Sequence, residues 1–197
     1  MENIKSYKNS LLLSILDSFN YLATLNSNSI NSVYISNNKI SLPCDYNTIT
    51  LYLDDTQEGS LLDKLYFYTN SSLQGNLLDL QVETIHQFKD VLSDMVLHKK
   101  DLIRSIEILF NGKSKKLNTI QEIGIKENDL LIDFDWDGNV YHCNRIISYG
   151  QYEKNIYIEI YIVDNGNSYR VPLSISNLSI DTLIKVYHYL NNLNISL

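Results

Sequence analysis

Three carboxylates in alternation, Asp133, Asp135 and Asp137, stand just before Gly138 in the stretch LLIDFDWDGNVYH. Alternating carboxylates closed by a glycine let several oxygens converge on one hard cation, which is how D-x-D-x-D-G opens a calcium loop. The remainder of that pattern is missing. The twelfth position counted from Asp133 is Asn144 instead of a bidentate Glu, and the run before the aspartates reads as a strand where a helix is needed. A plainer reading accounts for the same residues: Asp137-Gly138 makes a hairpin turn and the other aspartates face solvent.

A hydrophobic strand ending in D-x-D-G also resembles the first motif of haloacid-dehalogenase-type phosphatases, which implies Asp135 as nucleophile and Asp137 as acid/base. Only those residues match, and the β-rich stretch that follows offers no parallel strands to carry the later Lys and acidic groups. His142-Cys143 is the one adjacent His/Cys pair. Neighbours on a strand face opposite sides, so they cannot share a nucleophile–base hydrogen bond there. Cys44, Cys143, His86, His98, His142 and His188 lack zinc-ligand spacing, and neither a Gly-rich phosphate loop nor G-x-S-x-G occurs. The expectation is therefore a non-enzymatic protein without catalytic residues, cofactor or metal. The alternative is an acidic-hairpin metal-binding protein or phosphatase-like enzyme using Asp133, Asp135 and Asp137.

Charge narrows the partners. With 16 Lys and Arg against 23 Asp and Glu the formal charge is −7, whereas a phosphate-binding surface needs clustered cations. Nucleic acid is not expected. The basic residues that do cluster, Lys113, Lys115 and Lys116 with His98, Lys99 and Lys100, read as solvated. The 2 cysteines lie far apart, which fits a reduced compartment better than a disulfide framework. No apolar run approaches the roughly 20 residues that span a bilayer, and LLLSIL is interrupted too early by Asp17 for a secretory signal. A protein of the cytoplasm, or of a particle assembled inside the cell, is expected, with neither signal peptide nor membrane contact.

The flanks supply elements of their own. Residues 10–25 read as a helix capped by Ser10, with Leu12, Leu16, Phe19 and Ala23 on one stripe. Asn26 to Asn31 reads as a polar joint. SVYIS and KISLP then flank Asn37-Asn38 as a hairpin, TITLYL is a third strand, and DTQEGS is a linker. After Trp136 come VYHCNRIIS and NIYIEIYIV, the latter with Ile156, Ile158, Ile160 and Ile162 on one face and Tyr157, Glu159 and Tyr161 on the other. Asp164-Asn165-Gly166-Asn167 turns into SYRVPL, and Ser179 caps a last helix over 180–190.

Between these flanks, KLYFYTN, NLLDLQV, ETIHQFKDVLSDMV, SIEILFNGK and NTIQEIGIKENDLLIDF follow one another as strand, strand, helix, strand, capped turn and strand. That order resembles the β-grasp, ubiquitin-like family over about residues 64–136. Thr119 and Glu122 have capping-box spacing within it. The resemblance implies an α+β protein: a ubiquitin-like module over 61–137, an N-terminal helix and β-hairpin extension over 1–60, and a β-meander with C-terminal helix over 138–197. It further implies that the final strand of the module is central, so that the strands after Asp137 leave its sheet. The chain ends NISL and lacks a terminal Gly-Gly, so a conjugated tag is not expected.

The same resemblance points to the open sheet face as a partner surface, with Leu109, Ile132 and Phe134 on it. Either another protein or the chain's own additions cover that patch. Tyr157, Tyr161 and Tyr169 are further interface candidates, since Tyr offers contact area with a polar tip. The reading is a protein–protein interaction or structural assembly subunit of a larger complex, such as a virion or a secretion apparatus. Its partners are other protein subunits, and its oligomeric state is not legible in the sequence.

Overall fold

The computed structural model describes residues 2–23, 26–30, 33–35, 39–44, 47–53, 58–60, 65–69, 72–117, 120–133, 140–150 and 155–194. Among them the chain is mixed α+β, with three helices, antiparallel sheets and no barrel. In order the elements are α1 (Glu2–Ala23), β1 (Asn26–Ile30), β2 (Val33–Ile35), β3 (Lys39–Cys44), β4 (Asn47–Leu53), β5 (Leu65–Thr69) and β6 (Ser72–Asn76). A 3-10 turn, Leu77–Asp79, leads to α2 (Val82–Lys113), β7 (Lys115–Leu117), β8 (Ile120–Gly124) and β9 (Leu131–Asp133). β10 (Val140–Tyr149), β11 (Ile156–Asp164), β12 (Asn167–Ser174), a second 3-10 turn and α3 (Ile180–Asn192) complete it. Contacts divide the chain into one unit of Met1–Leu25 with Ser36–His98 and another of Asn26–Ile35 with Lys99–Leu197.

In the first unit β3, β4, β5 and β6 form an antiparallel sheet in sequence order, and α1 lies against β3. α1 buries Leu11, Leu12, Ile15, Leu16, Phe19 and Leu22, a broad apolar arc that includes Leu12, Leu16 and Phe19 of the stripe read from the sequence. Its start differs from the expected Ser10. Lys and Glu before Ser10 are good helix formers, and Lys8 is engaged by the fold: its Nζ donates to the carbonyls of Leu78 and Leu80 at 2.5 and 2.7 Å. Asn76 caps the turn that presents those carbonyls, accepting from the Leu78 N–H at 2.7 Å. NLLDLQV is thus not a strand, because the capped 3-10 turn occupies its first half. The expected hairpin of SVYIS with KISLP does not form either, since β2 pairs with β1 and β3 with β4. The expected polar joint holds β1.

The largest correction concerns SIEILFNGK, which lies inside α2 and is not a strand. Ile106 and Phe110 are fully buried, with Leu102, Ile103 and Leu109 half-buried against the same core, whereas Ile108 is 64% exposed. That is the 3.6-residue period; a strand would put Ile106, Ile108 and Phe110 on one face. No Gly or Pro interrupts the stretch from Met95 to Phe110, and the Ser114 N–H still donates to the Phe110 carbonyl at 2.7 Å past Asn111-Gly112. The expected capped turn at Thr119–Glu122 is replaced by β8, Thr119 itself lying outside the described residues. Without a strand at 105–110, the element order on which the β-grasp resemblance rested is not formed.

The second unit is built on a six-stranded sheet in the order β12-β11-β10-β8-β7, with β9 also on β10. β10 is long enough to take β8 along Arg145–Tyr149 and β9 along Val140–His142 on a single edge. The loop between them is stitched to β10 by the Ile125 N–H on the Asn144 carbonyl at 2.8 Å and the Cys143 N–H on the Leu130 carbonyl at 3.0 Å. Strands after Asp137 therefore join the strand that precedes it, contrary to the expectation that they leave its sheet.

β10 and β11 slip by one residue at Asn144: Cys143 faces Ile160 and Arg145 faces Glu159. This bulge reverses the alternation, so Cys143 and Ile146 both point into the core and Arg145 points away from it. The core face carries Ile123, Ile132, Cys143, Ile146, Ile158, Ile160, Val171 and Leu173, covered by the later part of α2 and by Leu183, Val186 and Leu190 of α3. Ser179 caps α3 as read from the sequence, accepting from the Thr182 N–H at 3.2 Å. At the other end Lys113 donates to the carbonyls of Leu190, Asn191 and Leu193 at 2.5, 3.2 and 2.7 Å, satisfying orphan carbonyls of the last turn.

Candidate functional site

The outer face of the second sheet is where chemistry-bearing side chains gather. The register places Glu122 of β8, Arg145 and Ile147 of β10, and Tyr157, Glu159 and Tyr161 of β11 on it. Arg145 grips Glu159 through two bonds, Nε to Oε1 at 3.1 Å and Nη2 to Oε2 at 3.0 Å, and reaches Glu122 Oε2 with Nη1 at 2.9 Å. Glu159 has a side chain only 5% exposed, and Arg170 stands 3.9 Å away on β12. Hydrogen bonding of the guanidinium to the accepting Glu159 carboxylate is the main cause that raises the Arg145 pKa, so the guanidinium stays charged. A planar fork suits this two-point grip, and it ties β8, β10 and β11 together. With both carboxylates engaged by arginine, the cluster is a clamp rather than an acid/base pair.

Beyond the clamp the β11–β12 hairpin runs out of the core. Asn165 and Gly166 have φ of 49° and 79°, the two positive values of a type I′ turn, which an Asn-Gly pair adopts at low cost. Residues 163 to 170 are all exposed, with Val163 at 65% and Tyr161 and Tyr169 at 39% and 38%. Among the described strands β12 pairs with β11 alone. Tyr157, nearer the clamp, is half-buried, its ring 5.9 Å from that of Tyr149.

Tyr157 and Tyr161 thus share a face, as the alternation of NIYIEIYIV predicts. Tyr169 pairs with Ile162 and sits on the opposite side of the hairpin. Leu109 and Ile132 are not on an open sheet face: the first is helical and half-buried against the core, and the second is fully buried within it. The chain's own elements cover them. Phe134, Asp135 and Asp137 lie outside the described residues, and of Asp133 only the backbone is described, opposite Val140.

Cys143 is buried, and burial pushes its thiol up to about 12, so it stays protonated and is a poor nucleophile. Its Sγ donates to the Arg145 carbonyl at 3.5 Å. His142 faces away from it, with a buried Nδ1 that has no hydrogen-bond partner. Lys99 corrects the expectation of a solvated basic run, being fully buried on α2. Among the described residues no group of three or more His, Cys, Asp or Glu could hold a metal ion, and no helix is long and apolar enough to cross a membrane.

Sequence reasoning missed the clamp and Val163. Glu122, Arg145 and Glu159 belong to three separate strands, and the bulge that sends Arg145 outward leaves no mark in a period-2 pattern. Val163 was legible as the continuation of the Tyr157, Glu159, Tyr161 face. No protein-family model, curated protein or solved structure matches the chain, so no β-grasp structure does.

Proposed function

We propose that this chain is a non-catalytic protein–protein interaction or assembly subunit of a larger complex, of the kind that builds a virion or a secretion apparatus. The observation that carries the proposal is the exposed end of the β11–β12 hairpin. It holds Tyr161, Val163 and Tyr169 in water on a sheet whose outer face is braced by the Arg145 clamp. Aromatic and aliphatic groups on a firm support gain most from burial by another protein, because little ordering entropy opposes docking. The net charge of −7 disfavours a polyanionic partner.

Affinity purification of the tagged chain from its source, with the stoichiometry of co-purifying proteins measured, tests this. A partner at fixed ratio that is lost in a Tyr161→Ala/Val163→Ala variant of unchanged Tm is the expected result. A partner retained at full ratio by that variant, or no partner for the wild-type chain, overturns the assignment.

A further inference from the structure

We draw no further inference here: the strongest candidate, the outer edge of β12 beside the exposed end of the β11–β12 hairpin, belongs to the surface already described, and nothing in the structure shows what covers it.

Discussion

Arg145 and Glu159 face each other across β10 and β11, and the carboxylate is almost wholly out of water. Truncating the arginine strands that charge, and among the described residues Arg170 at 3.9 Å is left to answer it. Arg145→Met should cost roughly 2–3 kcal/mol in urea denaturation, and the Arg145→Met/Glu159→Met pair less than the sum of the single changes. A loss below about 0.5 kcal/mol would reduce the clamp to an ordinary surface pair. Lys99 behaves differently. Burial lowers its pKa from 10.5 to about 8, so between those values the unfolded chain holds the proton more tightly and this residue's contribution to stability rises with pH. Below about 8 both states are protonated and the penalty is constant. Raising the pH from 8 to 10.5 should therefore shift the stability difference between wild type and Lys99→Met in favour of wild type, by up to about 3 kcal/mol. A pH-independent difference would mean that Lys99 is not desolvated in solution.

At the scale of elements, α2 decides the architecture, and its register offers a sharp check. Ile106 is fully buried and Ile108 is 64% exposed. Ile106→Ala should cost about 2–4 kcal/mol and Ile108→Ala no more than about 0.5. Equal costs would restore the strand that alternation suggests for SIEILF. The ambiguity was real, since the Ile, Leu and Phe residues of SIEILF satisfy either period when read alone. What settles it is length. Thirty-two residues without an internal breaker before Gly112 propagate one helix, and the Asn-Gly pair then falls in its final turn. The β11–β12 hairpin was easier, because β11 alternates over nine residues and its turn has the chemistry that a type I′ hairpin demands.

For the whole molecule the consequential fact is that the second unit owns a continuous core, from Ile106 on α2 to Leu190 on α3. Each layer of that core comes from residues after Lys99, so the fragment 99–197 should unfold cooperatively by itself, with a single thermal transition and a fixed tyrosine near-UV circular dichroism signal. A fragment with helical and strand signals but no cooperative transition would show that residues 26–35 or the first unit are needed to complete it.

Composition and pattern by themselves determined an α+β protein, a net charge of −7, the strands of β10, β11 and β12, and the cap on α3. These follow from forces that act within a few residues: charge, turn chemistry and period. Tertiary structure decided which of two periods SIEILF obeys, which edge β9 and β8 share, and where Arg145 points. Each depends on groups far apart in the chain, since one apolar run becomes helix or strand according to what covers it, and a single extra residue at Asn144 turns a core-facing arginine outward.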